Sequence, residues 1–260
     1  MKHVAVRDGD ERYVFRCESA IELWRAETLF SKEEGTVKWI RDAVRPGETF
    51  YDVGANIGLY TLLAARRVGP GGRVYAFEPH VPNFVSLLHN VGLNRVDAWV
   101  VPLCVALHDR EGFFDFHYRS VVAGSSMSQL DCRVDGDEVG FQPMVSERKL
   151  GMTVDRLIEN AAIGPPHHIK IDVDGNEFLV LKGMQRLLTS AYRPTSLQVE
   201  INLRYKAEIF AFLEECGYNQ GVRHDTHQGK ALLASGSDPA TVAYNAVFRP
   251  RPARAGAVRS

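Results

Sequence analysis

The chain has 260 residues, 45% of them hydrophobic, and its 31 Lys and Arg stand against 32 Asp and Glu for a net charge of −1. That length fits one large domain, or one plus a small appendage, and the balanced charge leaves no overall basic surplus for holding nucleic acid. The four cysteines, Cys17, Cys104, Cys132 and Cys216, lie far apart with no C-x-x-C pair, which argues against zinc or a disulfide framework and fits a reducing compartment.

The first residues, Met1 to Asp8, have no apolar core of the signal-peptide kind. No run approaches the roughly 18 apolar residues of a membrane helix. The expectation is a soluble, cytoplasmic chain. Residues 3–6 and 12–16 alternate weakly around a turn at 7–10 and predict a hairpin. Residues 18–44 predict two helices, 18–30 and 31–44, with Ser31 and Glu34 as a capping box for the second and Arg45-Pro46-Gly47 as its stop. Trp24 and Trp39 read as core anchors, since large aromatics mostly serve packing. We divide the chain into this N-terminal segment (1–45), packed in front of the first strand where part of it can serve as a lid, a main domain (46–249) and a tail (250–260).

The stretch Thr49-Phe50-Tyr51-Asp52-Val53-Gly54-Ala55-Asn56-Ile57-Gly58 is an apolar run ending in an acid, followed by a glycine-bracketed turn and a helical pattern. It predicts strand, tight turn and helix, the first unit of an open α/β sheet. Gly54 and Gly58 suit a turn where backbone comes close to a ligand, and the helix start offers free N–H groups to an anion. A second strand, Gly72 to Phe77, ends at Glu78, and Pro79 closes it. An acid in that position accepts hydrogen bonds from ribose hydroxyls in nucleotide-binding sheets. Asn56 fills the place of the middle glycine of G-x-G-x-x-G. That argues against a nicotinamide oxidoreductase and favours a nucleoside without a pyrophosphate, of which S-adenosylmethionine leads.

Residues 82–91 predict a helix, and residues 97–106 predict a third strand covered on both faces, with the loop after it, at Ala106, near the adenine ring. Residues 112–118 alternate and suggest an added strand. The small, polar loop 121–129 reads either as a mobile segment close to the substrate or as a plain solvent loop. Residues 136–149 are hard to read, with an edge strand at 145–150. Thr153 caps a helix over 153–160. A fourth strand (167–173), a turn at Gly175, a helix (177–188), a fifth strand (196–201), a helix (206–216) closed by Gly217 and an antiparallel pair (218–223 and 242–248) follow. The basic tail after residue 249 carries Pro and Gly and is expected to be disordered.

Four pieces in order, "DVGANIGLYTLLAA", "VYAFEPHVPNFVSLLHNVGLN", "TVDRL" and "IKIDVDGNEFLVLKGM", resemble the FkbM family of S-adenosylmethionine-dependent methyltransferases from about Phe50 to about Ile201. The family usually reads Lys-Ile-Asp-Val-Glu-Gly where this chain has Asp174. The resemblance implies a class I methyltransferase fold, a doubly wound, mostly parallel seven-stranded sheet with a small N-terminal extension. It also implies methylation of a hydroxyl on a sugar or a polyketide-like small molecule. Methylation of nucleic-acid bases is the rival within enzymes, and the [Asn/Asp]-Pro-Pro-[Tyr/Phe] motif of that chemistry is missing after the fourth strand.

In such a sheet the ligand sits beyond the carboxyl ends of the strands at the switch in strand order. Asp52, Glu78, Asp172 and Glu200 each close a parallel strand there. The cofactor is expected to be S-adenosylmethionine, held by Asp52, Gly54, Asn56, Gly58, Glu78, Ala106 and Asp172. Glu78 takes the ribose, and Asp52 either orients the turn or receives the methionine ammonium. Asp172 and Glu200 are the candidate catalytic residues, as base or orienting group for the acceptor. Two neighbouring carboxylates push one pKa upward, or they hold a divalent cation, which is open but not predicted. Lys170 points to the face of Asp172, and pairing with Glu200 would cancel both ideas. Asp174 and Glu177 line the site or serve the helix start. The histidines show no helical metal spacing, so no metal ligand is assigned among them, and His80, next to Glu78-Pro79, reads as a loop residue ahead of one that reaches the nucleoside. The expected partner is a small-molecule acceptor.

Overall fold

The computed structural model describes residues 2–252, apart from the side chains of residues 227 and 228. A hairpin of β1 (Lys2–Asp8) and β2 (Glu11–Cys17) leads into α1 (Ala20–Glu27) and α2 (Glu34–Ala43). Then come β3 (Thr49–Val53), α3 (Leu59–Val68), β4 (Arg73–Phe77), α4 (Val81–Leu93) and β5 (Val100–Leu103). An inserted stretch carries β6 (Ala106–Leu107), β7 (Gly112–Tyr118), β8 (Gln129–Leu130) and β9 (Val145–Met152). The chain returns through α5 (Val154–Glu159), β10 (His168–Ile171), α6 (Glu177–Lys182), α7 (Gln185–Thr189), β11 (Ser196–Ile201), α8 (Lys206–Glu215), β12 (Tyr218–Asp225), α9 (His227–Ala234) and β13 (Tyr244–Pro250).

The main sheet has seven strands in the order β12-β13-β11-β10-β3-β4-β5. Strands β5, β4, β3, β10 and β11 run parallel, and β13 lies antiparallel between β11 and β12. This is the doubly wound, class I methyltransferase arrangement expected from the sequence. The chain winds outward from β3 to β5, then resumes at β10 on the other side of β3. The order therefore switches between β3 and β10, where a crevice opens above the strand ends.

Strand β3 shows why the sheet forms. Its period-two alternation sends Phe50 to the core shared with α2 and α3, and Tyr51 and Val53 to the opposite core with β10 and β11. Both faces are covered, so the strand reads as continuous apolar sequence. The N-terminal segment belongs to the same packing. Tyr13, Phe15, Leu29, Trp39 and Ile40 are buried with Phe50, Leu62 and Leu63.

Several local expectations need correction. The capping box belongs to α1: Glu22 N–H donates to Ser19 Oγ at 3.0 Å and Ser19 N–H to Glu22 Oε2 at 2.9 Å. Helix α2 starts after Glu33 with no side-chain cap, and Ser31 lies in the turn before it. The third strand is four residues at the open edge of the sheet. Pro102 lacks the ladder N–H that a further neighbour would need, and the chain leaves for a second sheet at Ala106. That four-stranded sheet, in the order β6-β9-β7-β8, places the strand expected at an edge between two others. The helix over 177–188 breaks into α6 and α7 at Gly183, where a Cβ would stand 2.0 Å from the His108 carbonyl oxygen. Of the expected disordered tail, residues 253–260 lie outside the described residues. Arg251 is ordered against Asn219 and Glu214.

Candidate active site

At the switch point a cavity of about 530 Å³ opens over the ends of β3, β4, β10 and β11. Its floor is the turn after β3. The N–H groups of Gly54 and Ala55 both donate to Phe77 O at 3.0 Å, which curls the turn over the end of β4. Gly54 sits at φ +82°, and a Cβ there would stand 1.8 Å from the Asp172 carbonyl oxygen. The end of β10 thus gives this glycine a packing reason of its own, and the residue also lines the cavity. Gly58 has its own structural reason: it is the left-handed cap of α3, and a Cβ would meet Leu87 Cδ1 at 2.7 Å.

Glu78 is 5% exposed and lines the cavity. Its Oε2 accepts from Asn56 N–H at 2.6 Å and its Oε1 from His80 N–H at 2.8 Å. Each oxygen keeps a lone pair for a ligand. Burial pushes its pKa up to about 7, against the pull of those two N–H groups. Asn56, in the left-handed region at φ 50°, reaches across the cavity floor and donates from Nδ2 to Ser125 O at 2.9 Å.

Asp52, Gly58 and Ala106 do not line the cavity. Asp52 is 1% exposed behind the turn. Its Oδ2 accepts from Thr61 Oγ1 at 2.6 Å, and its Oδ1 stands 3.9 Å from Lys170 Nζ, its neighbour in strand register. Burial raises its pKa even so. The geometry is that of the turn brace, one of the two roles weighed for this residue. Ala106 has left the main sheet for β6, which carries it away from the crevice.

Asp172 and Glu200 come together as expected, and Asp174 joins them. Each of the three places one carboxylate oxygen within 4.8 Å of the others. Lys170 does not reach Glu200. It is 1% exposed and donates from Nζ to Asp172 Oδ2 at 2.8 Å. Burial works against the charge of Asp172, but the Lys170 ammonium wins and holds its carboxyl below the ordinary value. Lys170 is raised in turn, because Asp172 and Asp52 outweigh its own burial. Glu200 goes the other way. Burial first, then Asp172, Glu177 and Asp174, push its carboxyl well above the ordinary range. The Glu200 carboxylate also has no hydrogen-bond or ion-pair partner among the described residues. Asp174, at φ 59°, is raised by burial and by Asp172, and accepts the Met127 N–H on Oδ2 at 2.7 Å. Glu177 lies behind the cavity wall, where it accepts from Val173 and Gly175 N–H and serves the turn.

The far wall includes the loop 121–129, which the sequence offered as one of two readings, and several residues it did not mark as site. The loop 121–129 is pinned: Gly124 N–H donates to Asn83 Oδ1 at 2.7 Å, and Asn83 Nδ2 donates to Ser125 O at 2.9 Å. It is neither a plain solvent loop nor untethered. Arg25, on α1, donates from Nε to Gly124 O at 2.5 Å and lines the cavity with Lys32 and Trp24. Trp24 is 46% exposed, so it is not a core anchor, whereas Trp39 is 4% exposed with its indole N–H on Ser196 Oγ at 3.0 Å. His80 is more than a loop residue: it caps α4 and faces the cavity, 3% exposed and kept neutral by burial. The wall also includes Thr226 and Gly229 around the start of α9, a helix the sequence did not announce.

Residues 52–219 match the methyltransferase FkbM domain. Hexuronic acid methyltransferase AglP of Haloferax volcanii is 26% identical over 176 residues, covering 68% of this chain and 66% of that protein. The chain thus spans a little under two thirds of that relative's length. The 31-O-demethyl-FK506 methyltransferase FkbM of Streptomyces tacrolimicus is 45% identical over 53 residues, 20% of each chain. Among solved structures, Aeropyrum pernix fibrillarin in complex with natively bound S-adenosyl-L-methionine superposes with a TM-score of 0.51 at 13% identity, covering 95% of this chain and 82% of that one. At that identity the likeness speaks for the fold. With most of the main sheet inside the matched span, this chain belongs to the FkbM methyltransferase family.

Proposed function

We propose that the cavity takes S-adenosylmethionine and a small-molecule alcohol, and that the protein methylates a hydroxyl of a sugar or polyketide-like acceptor. The observation that carries this is the meeting of Glu78 and Asn56 with Asp172 and Glu200 on one cavity. The first pair suits a nucleoside and the second an acceptor hydroxyl. Relatives named as hexuronic acid and FK506 methyltransferases support the acceptor class.

The donor set fits the cofactor. Glu78 offers unoccupied lone pairs to two ribose hydroxyls. The carboxylates over β10 and β11 suit a positively charged sulfonium and ammonium, and Arg25 or Lys32 suits the methionine carboxylate. When bound, S-adenosylmethionine supplies an electrophilic methyl and leaves as a neutral thioether. The chain's own residues do the rest. Asp172, kept ionised by Lys170, orients the acceptor hydroxyl. Glu200, the higher-pKa carboxylate beside it, takes the hydroxyl proton. The walls from α1 and loop 121–129 align the oxygen for in-line attack, the largest share of the acceleration open to a protein in such a transfer.

A thermal-shift comparison tests the cofactor. S-adenosylhomocysteine at about 100 times its dissociation constant stabilises by about 2.7 kcal/mol, and NAD leaves the melting point unchanged. A methyl-acceptor screen with labelled cofactor over hexuronates, neutral sugars and macrolide alcohols then identifies the acceptor. Transfer to tRNA or DNA instead would overturn the small-molecule reading. No helix among the described residues is long and apolar enough to cross a membrane.

A further inference from the structure

Three carboxylates converging over β10 and β11 need something positive. Asp172 has part of it in Lys170, but Asp174 and Glu200 face the cavity with no cation within ion-pair distance among the described residues. A second feature stands beside them. Asn202 follows Glu200 by two residues and lines the same cavity, 5% exposed. It stands just past the end of β11, on the same rim of the cavity as Glu200. Asn202 donates from Nδ2 to Glu177 Oε2 at 3.2 Å, yet its Oδ1 is buried with no hydrogen-bond partner. A buried amide oxygen without a partner costs about 1–3 kcal/mol. It is an acceptor waiting for a cation or a donor.

We propose that Asp172, Asp174 and Glu200, completed by Asn202 Oδ1, form a site for one hard divalent cation, Mg²⁺, Mn²⁺ or Ca²⁺, beside the acceptor. The donors are all oxygens, which is the set these ions take. The span fits. Oxygens bound to one Ca²⁺ at about 2.4 Å lie at most about 4.8 Å apart, and around Mg²⁺ at about 2.1 Å at most about 4.2 Å. The carboxylate oxygens lie within 4.8 Å of one another, inside the pairwise limit for Ca²⁺, and closing all three on one ion takes an inward turn of the side chains that is larger for Mg²⁺. The left-handed backbone at Asp174 and its bond to Met127 N–H fix one ligand arm. Lys170 on the far oxygen of Asp172 fixes another. Second-shell bonds of this kind orient ligands. The role of the cation rests on the hydroxyl-methylation reading. It binds the acceptor oxygen and lowers the pKa of its hydroxyl, and the released proton passes to the uncoordinated oxygen of Glu200 as the oxygen–methyl bond forms.

The test is Mn²⁺ binding to the full chain without acceptor, followed by loss of the free-ion paramagnetic resonance signal, with and without S-adenosylhomocysteine. One Mn²⁺ per chain, displaced by Mg²⁺ or Ca²⁺, is expected, with a dissociation constant below about 1 mM. Glu200→Gln and Asp174→Asn should each weaken it at least about tenfold with an unchanged circular dichroism spectrum, and Asn202→Ala should do so as well, while S-adenosylhomocysteine still raises the melting point of the Asn202→Ala variant. No saturable binding at about 10 mM Mn²⁺, well above the weakest oxygen-ligand sites, would overturn the proposal. So would wild-type affinity in either carboxylate variant. Failure of S-adenosylhomocysteine to bind would count against the cofactor reading alone, since the Mn²⁺ measurement does not depend on it.

Discussion

Replacing Lys170 by Met tests the electrostatic frame of the site. The Lys170 ammonium is 1% exposed and sits 2.8 Å from Asp172 and 3.9 Å from Asp52. Met keeps most of the volume and removes the charge, so packing is little disturbed. What remains is Asp52, itself 1% exposed, and Asp172 with only the more distant Lys32 and Arg25 as counter-charges. Deleting one partner of a buried ion pair costs about 3–5 kcal/mol. For a domain of this size each kcal/mol moves the melting point by about 2–4 °C, so a fall on the order of 6–20 °C is expected. The pH dependence is the sharper signature. In the wild type Asp172 is held below its ordinary pKa. Its contribution is therefore present above about pH 4 and is lost as pH falls through the folded value. In the variant both carboxyls rise above the ordinary value. The folded state then prefers their protonated forms, and the penalty grows as pH climbs above about 4. Urea unfolding should show a smaller deficit at about pH 5 than at about pH 8, and Asp172→Asn in the same chain should restore part of it. A loss under about 1 kcal/mol, or one constant across that range, would refute the account of Lys170 as the ion that keeps this cluster charged.

Gly54→Ala places a Cβ 1.8 Å from the Asp172 carbonyl at a φ of +82°. Left-handed strain and overpacking each cost about 1–3 kcal/mol, so denaturant melts should show a loss of about 2–6 kcal/mol. Stability within the error of wild type would mean the turn is looser than the structure shows. Glu78→Gln removes a charge-assisted acceptor worth about 1.5–3 kcal/mol, and calorimetry should find S-adenosylhomocysteine bound at least about tenfold more weakly. Wild-type affinity should strengthen as pH rises through about 7 and Glu78 ionises. The variant should be flat there, and a retained pH slope would assign the titration to another group. Trp24→Ala removes a side chain that is 46% exposed. It should leave the melting point within about 2 °C and raise KM for the acceptor several-fold with kcat unchanged, and a large stability loss would return Trp24 to the core.

The parts of the fold that were legible are those where one local rule governs. Strand β3 reads from its apolar run because both faces are buried. The turn after it reads from Gly54 and Gly58, although each glycine also has a packing reason that no local pattern shows. Glu78 was placed correctly because a strand followed by Pro79 leaves little choice about where the acid stands. What was not legible depends on long-range pairing. Strand β6 is two residues long and pairs with Gly151 and Met152, some forty-five positions on. No window of sequence announces that partner, so Ala106 was carried into the main sheet. Trp24 and Arg25 face the cavity only because Arg25 meets Gly124 across the loop. An isolated amphipathic helix gives no sign of which polar residue will be enclosed. The pairing of Lys170 was open for the same reason: alternation fixed its face, but the choice between Asp172 and Glu200 depended on rotamer and depth.

Asp174 shows how backbone and chemistry meet at this site. Where the family pattern has Glu, this residue occupies the left-handed region at φ 59°. Asp tolerates that conformation better than longer side chains, since its short carboxylate can bond locally. Its Oδ2 turns back to the Met127 N–H, and its carbonyl accepts from Gln129 Nε2, both at 2.7 Å. One residue thereby ties the inserted sheet's loop to the end of β10. The lost methylene shortens the reach of the carboxylate into the cavity, but it leaves the charge within 4.8 Å of Asp172 and Glu200. The cluster then stands under mutual repulsion, which raises Asp174 and Glu200 toward their protonated forms and which a positive guest relieves. Binding energy from such a guest is drawn at the point where the acceptor oxygen must be held, so specificity for the guest and alignment of the acceptor come from the same carboxylates.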